Sequence, residues 1–127
     1  MIRRVRRAEG QAATELALVV PFFVLLLLLV VQIGLVVRDQ VMVVHAAREG
    51  ARAAAVADAQ RIERARVSAL AAAGLDRERL DVAVEVGGGR VSVTVTYRSP
   101  TDVPVVGRLV GEVSVKATAT MALESAT

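Results

Sequence analysis

The sequence predicts an α+β chain: a long apolar N-terminal helix that crosses a membrane and kinks near Pro21, then a second helix and a small three-stranded antiparallel sheet. Three observations predict it. From Leu16 to Val37 an apolar stretch of 22 residues is interrupted only by Gln32 and Gly34. At about 1.5 Å per helical residue it spans roughly 33 Å, close to the hydrocarbon thickness of a bilayer. From about Asp58 to Ala73, Arg and Glu alternate on one side of a helix with Ile62, Val67, Leu70 and Ala71 on the other. Beyond Asp81 the apolar period drops to two, the spacing of half-buried strands.

Residues 1–10 set Arg3, Arg4, Arg6 and Arg7 against Glu9 with no apolar periodicity, and read as a short cytoplasmic leader. The basic leader before the span, against the near-neutral Arg38-Asp39-Gln40 after it, places the N-terminus inside and everything beyond about residue 38 outside. Pro21 removes one backbone donor and crowds the carbonyl of Ala17, so a kink is expected there, tolerable in lipid only where a neighbour covers it. The helix does not stop at the surface. Val41, Val44, Ala47, Ala51 and Ala55 continue at helical spacing with no Pro or turn cluster before Ala59, so a membrane and juxtamembrane helix is assigned to 11–57, with Gly34 and Gly50 as its weak points. Ala46, Gly50 and Ala54 recur every four residues, as do Ala47, Ala51 and Ala55, giving two adjacent rows of small side chains where another backbone can approach. The rows suit helix packing against a neighbouring subunit or against the chain's own sheet; both readings stay open.

Residues 58–127 form an extracytoplasmic α+β domain. Its helix, from about Asp58, is capped by Gly74. Val82, Val84 and Val86 then face one way, Gly87-Gly88-Gly89 turns, and Val91, Val93, Val95 and Tyr97 return as the second strand of a hairpin. Ser99 to Gly107, with Pro100 and Pro104, reads as a loop. A third strand from Val113 to about Leu123 alternates Val113, Val115, Ala117, Ala119, Met121 and Leu123 with Ser114, Lys116, Thr118 and Thr120. One apolar sheet face requires a cover, supplied by the second helix or by the outer half of the long one.

Composition excludes several functions. The four arginines and one glutamate of the leader account for the whole net charge of +3, so the remainder is balanced and offers no polyanion-binding excess. Aromatic residues make up 2% of the chain, which removes a stacking platform as well, and no nucleic-acid partner is expected. Cysteine is absent, which rules out disulfides and thiolate chemistry. His45 is the sole histidine and has no companion ligands, so no metal or cofactor is expected. Ser68 and Ser92 lack a base at triad placement, and Gly87-Gly88-Gly89 lacks the lysine and following helix of a phosphate loop. The chain does not read as an enzyme.

Glu15 heads the apolar segment, where carboxylates are expensive and usually paired or functional. Cleavage after Gly10 would make Gln11 the new amino terminus, one helical turn before Glu15, and so create an ammonium partner at i, i+4. A small residue at Gly10 also lets the backbone extend into a protease cleft. The segments G-Q-A-A-T-E-L-A-L-V-V-P (Gly10–Pro21) and A-A-R-E-G-A-R-A-A-A (Ala46–Ala55) resemble TadE-like minor pseudopilins of the tight-adherence (Tad/Flp) pilus systems, relatives of type IV pilins. The resemblance implies a pilin-like helix and cleavage between Gly10 and Gln11 by a membrane prepilin peptidase. It also implies that Glu15 neutralises the N-terminus of a neighbouring subunit during assembly. Leu16 stands where these pilins commonly carry Tyr, and the amine of Gln11 is one that can cyclise.

The expected partners are the peptidase, other pilin and pseudopilin subunits, the Tad inner-membrane assembly platform and membrane lipid. The expected place is the cytoplasmic membrane as a single-pass protein, at the base of an adhesive pilus or within it. The alternative is an uncleaved, signal-anchored extracytoplasmic binding module, which shares every feature except a functional Gly10-Gln11 bond.

Overall fold

The computed structural model describes residues 2–57 and 59–124, with side chains from Arg7 onward. Its axis is α1 (Ile2–Ala55), a single helix of 54 residues and roughly 80 Å that runs through the leader, Gly10 and Pro21 without a break in assignment. Having no N–H, Pro21 leaves the Ala17 carbonyl without its helical donor. The second helix, α2 (Arg61–Ala73), folds back antiparallel along the outer half of α1. Ser68 Oγ donates to the Glu49 carbonyl at 3.3 Å, and α2 ends on Gly74 in the left-handed conformation with φ 60°.

The second helix departs from the sequence reading in two ways. Its expected start, Asp58, lies outside the described residues; the observed start is Arg61, because Gln60 turns left-handed (φ 57°) and the regular helix begins only after it. Its buried stripe is Ala65, Ala69 and Ala73, while Ile62, Val67 and Ala71 of the expected apolar face are exposed. The reason is steric. Two helices whose backbones nearly touch admit only small side chains between them, and branched aliphatics would hold them apart.

A single 3₁₀ turn (Arg77–Arg79), not foreseen from the sequence, leads into the sheet, where Asp76 caps it by accepting from the Glu78 amide. Strands β1 (Leu80–Gly87), β2 (Arg90–Ser99) and β3 (Val113–Ala122) are antiparallel in the order β1-β2-β3. Gly87 pairs with Arg90, so the tip is the two-residue turn Gly88-Gly89; both residues have positive φ (58° and 72°), which the tight hairpin twist requires and glycine supplies without strain. On the inner face Val84 lies opposite Val93, Val82 and Ala117 flank Val95, and Val115 lies beside Tyr97. The outer face is polar, with hydroxyl pairs Ser92–Thr120 (2.8 Å) and Thr94–Thr118 (2.9 Å) laddered across β2 and β3.

The expected loop from Ser99 to Gly107 is only partly a loop. Ser99 is the buried last residue of β2, paired with Val113, and residues Val106–Val110 close into a short helix, α3. Pro100 ends the strand because it cannot donate to the ladder, and no further proline follows Pro104 to prevent a helical turn. Val105, just before α3, has φ 67° and ψ −54°, and the Val106 amide donates to the Pro104 carbonyl at 2.7 Å, a tight γ-turn.

The core lies between the two helices and the inner sheet face. Both helices cover the sheet: α1 packs on β2 and β3, and α2 on β1. Ala46, Ala47, Ala51 and Ala54 of α1 are at most 1% exposed, against the valines of β2. Gly50 is the tightest point, since a β-carbon there would meet the Ala65 carbonyl oxygen and Ala69 Cβ at 3.0 Å and Val93 Cγ1 at 3.1 Å. Gly34, by contrast, has open space around it. Gly50→Leu is therefore expected to lower unfolding stability by about 1–3 kcal/mol through overpacking. Gly34→Ala should leave it unchanged or slightly raised; denaturation of the detergent-solubilised protein followed by circular dichroism measures both.

Candidate functional site

The expected processing and assembly residues, Gly10, Gln11 and Glu15, sit on one exposed turn of α1. Gly10, Gln11, Thr14 and Glu15 are all exposed, and nothing comes within 4 Å of where a β-carbon at Gly10 would stand. Thr14 Oγ1 donates to the Gly10 carbonyl at 2.9 Å, and the Gln11 side-chain amide reaches Glu15 Oε1 at 3.4 Å. Gln11 and Glu15 are thus on the same helix face at i, i+4, the spacing at which an amine at residue 11 would also lie next to the carboxylate. About 25 Å of bare helix separates Glu15 from Gln32, the first fully buried side chain, so the domain contributes nothing to this turn.

Between the two points the helix presents an unbroken apolar surface. Leu18 is 75% exposed and Phe22 71%, and side chains from Leu16 to Val31 are exposed except for a half-buried Leu28. The core helix of a water-soluble fold would bury such residues; this helix is long and apolar enough to cross a membrane, and among the described residues nothing covers this stretch of it. Pro21 lies on the same uncovered stretch. The rows Ala46-Gly50-Ala54 and Ala47-Ala51-Ala55 are instead buried by α2 and the sheet of the same chain. His45, Arg48 and Arg52 line the exposed side. Among the described residues no group of three or more His, Cys, Asp or Glu could hold a metal ion.

Where the helix leaves its apolar stretch, the structure assembles a polar cluster that sequence reading did not single out. Asp39 is 8% exposed and accepts a short hydrogen bond of 2.5 Å from Ser99 Oγ, sixty residues away. Gln40 Nε2 donates to the Lys116 carbonyl at 3.1 Å, so consecutive side chains of α1 grip β2 and β3. A buried carboxylate held by a hydroxyl joins the domain's inner end to the helix, since losing the donor would strand the charge. Gln32 and Asp39 stand two helical turns apart on one stripe with Val36 and Val43, and that i, i+4, i+7, i+11 spacing is the signal that could have found them.

Tyr97 is buried beside this cluster. Desolvation raises its phenol pKa above the ordinary 10.0; the negative charges of Asp39 and Asp76 push the same way, and Arg79 and a backbone hydrogen bond at Asp76 oppose them. A raised phenol means that the unfolded chain ionises first, so stability is intact below pH 10.0 and falls as pH rises through the folded value. Tyr97 is the sole tyrosine, so phenolate ultraviolet absorbance reads it directly. The titration midpoint should lie above that of a free tyrosine, and Asp39→Asn should lower it.

The TadE-like protein family matches residues 10–52, which is the turn bearing Gly10 and Glu15, the apolar stretch and most of the small-residue rows. No curated protein and no solved structure matches the chain. The matched segment covers about a third of the chain and contains every residue of the candidate site from Gly10 to Arg52. Over that segment the chain is similar to the TadE-like proteins, a family associated with the Tad pilus.

Proposed function

We propose that the chain is a minor pseudopilin that helps to assemble or anchor a Tad/Flp-type adhesive pilus after a prepilin peptidase cuts between Gly10 and Gln11. Residues 1–10 are then a leader, 11–57 the membrane and juxtamembrane helix, and 58–127 a domain outside the cytoplasmic membrane. The observation that supports this reading is the pairing of an exposed turn bearing Gly10, Gln11 and Glu15 with an apolar rod that the described residues leave uncovered.

The mechanism follows from the chemistry of that turn. Cutting a helix requires the scissile segment to extend, and glycine lowers the cost because it stabilises a helix about 1 kcal/mol less than alanine does. The Thr14 hydroxyl must release the Gly10 carbonyl as the turn opens. Cleavage turns the Gln11 nitrogen into an amine and leaves Glu15 in lipid as an acid with one candidate cation on its own chain. In the assembled pilus a neighbouring subunit's N-terminus competes for that acid, which draws helices together side by side. The uncovered apolar faces then exchange lipid for each other, and a neighbour over Pro21 shields the bare Ala17 carbonyl. Insertion with the basic end inside places the leader beside a cytoplasmic-face peptidase and the Tad assembly platform.

The test is the intact mass of the membrane-extracted protein, with and without Gly10→Leu. The unmodified chain should have lost its ten-residue leader and the variant should retain it; since a β-carbon at Gly10 would meet nothing within 4 Å, the substitution leaves the fold alone. A further loss of about 17 Da would show the amine of Gln11 cyclised. Glu15→Ala should be cleaved normally but recovered with other pilus subunits at least about tenfold less in membrane cross-linking, in line with the loss of one desolvated charge pair. Full-length mass in both proteins would favour the uncleaved signal-anchored module.

A further inference from the structure

We infer that the crossover between β2 and β3, residues 100–112 with α3 at its centre, is a second membrane contact that seats in the outer leaflet of the bilayer beside the span. The inference rests on the membrane reading of α1 and extends it to a segment outside the family match.

The register of the fold places this crossover. Gly50 of α1 faces Val93 of β2, and Asp39 bonds Ser99, so β2 runs down α1 toward the apolar stretch and ends level with Asp39. The other end is pinned as well: the Glu124 amide donates to the Ala55 carbonyl, which sets the Gly88-Gly89 hairpin tip at the far end of the domain. The chain that leaves Ser99 must therefore travel beside or below Asp39 before returning at Val113. It does, since Pro100, Asp102, Val103 and Pro104 line a cleft with Leu35, Arg38 and Asp39, and α3 touches α1.

Gln32 gives the depth. It is 1% exposed while its neighbours Val31 and Ile33 are 48% and 55% exposed, so α1 is covered on one stripe two turns below Asp39, about 7–8 Å into the apolar stretch. Protein thus reaches past Val37, where the lipid-soluble sequence ends.

The chemistry of the crossover fits that depth. Leu109 is 79% exposed, Val105 57% and Val110 44%, and these form the apolar outer side of a segment whose inner residues Val103 and Val106 are buried. An apolar patch standing at the water surface would be costly; at the headgroup and acyl boundary it is stabilised by burial some 5–10 Å deep. Arg108, next to Leu109, is exposed and long enough to reach phosphate while the leucine points inward. Part of the backbone is already paired for a drier medium: the Val106 amide donates to the Pro104 carbonyl, the Gly107 amide to the Val103 carbonyl at 2.9 Å and the Gly111 amide to the Gly107 carbonyl at 3.3 Å. Only glycine fits at Gly107, because a β-carbon would run into the Thr101 carbonyl. The Arg98–Glu112 ion pair, at 3.8 Å, closes the base of the crossover on its water side. A domain held by both span and crossover has a fixed tilt on the membrane, which a single-pass helix alone cannot impose.

The chain has no tryptophan, so one introduced residue reports one position. Leu109→Trp, Val86→Trp at the distal hairpin and Leu26→Trp in the span replace exposed side chains, so the core is untouched. Each full-length protein is reconstituted at high dilution into phosphatidylcholine vesicles, with and without lipid brominated high on the acyl chain. The expected result is that the Leu109→Trp and Leu26→Trp proteins lose about half or more of their emission to brominated lipid and resist iodide, while the Val86→Trp protein does the reverse. Quenching at position 26 without quenching at position 109 would overturn the crossover contact and leave the span intact. A blue-shifted but lipid-insensitive emission at position 109 would assign the patch to a second copy of the chain and equally overturn it. Absence of lipid quenching at both positions would remove the membrane reading together with the inference.

Discussion

Everything in this molecule depends on how closely α1 can approach α2 and β2. At Gly50 the gap is so small that one carbon would press on three atoms, and the alanines above and below extend that contact over three turns. Alanine and glycine lose almost no side-chain entropy on burial, so a core built from them converts close backbone approach into dispersion contacts at little ordering cost. The domain is thereby fastened along the side of the helix. Since α1 is unbroken from Ile2 to Ala55, the uncovered apolar rod and the spine of the folded domain are one body.

That continuity gives the polar groups at the helix waist their purpose. Asp39 and Gln40 follow directly on Arg38, where the apolar stretch ends, and they bind β2 and β3 at their inner ends. A carboxylate buried at such a place is stable because the Ser99 hydroxyl replaces the water it has lost. Position along the helix then sorts the chemistry: an exposed polar turn at one end, an uncovered apolar surface in the middle, and a packed domain at the other. In the proposed assembly only the middle is free to associate laterally, because the small-residue rows further out are already occupied within the chain.

Much of the architecture was legible because it is local. The apolar length of the span, the period-two strands, the triple glycine of the hairpin and the Gly74 cap each depend on residues within a few positions of one another, and the structure has them all. The same holds for the turn that carries Gly10, Gln11 and Glu15, whose mutual placement is helical spacing alone. What escaped was decided at a distance. Ile62 and Val67 look like the buried side of α2, yet they are exposed because α1 leaves room only for Ala65, Ala69 and Ala73. Ser99 looks like loop but belongs to β2, because a residue on the third strand and a carboxylate sixty positions earlier both claim it.

The sequence by itself determined that the chain has a helix long and apolar enough to cross a membrane, an α+β part after it, and Glu15 one turn beyond Gln11, because periodicity, length and i, i+4 spacing are properties of the chain alone. Only the tertiary structure decided what covers what. It assigned the small-residue rows to the domain's own core, buried Gln32 and Asp39, and brought the β2–β3 crossover down beside the end of the apolar stretch. Those outcomes turn on the distance between surfaces far apart in sequence, and that distance is set when both helices settle on the sheet.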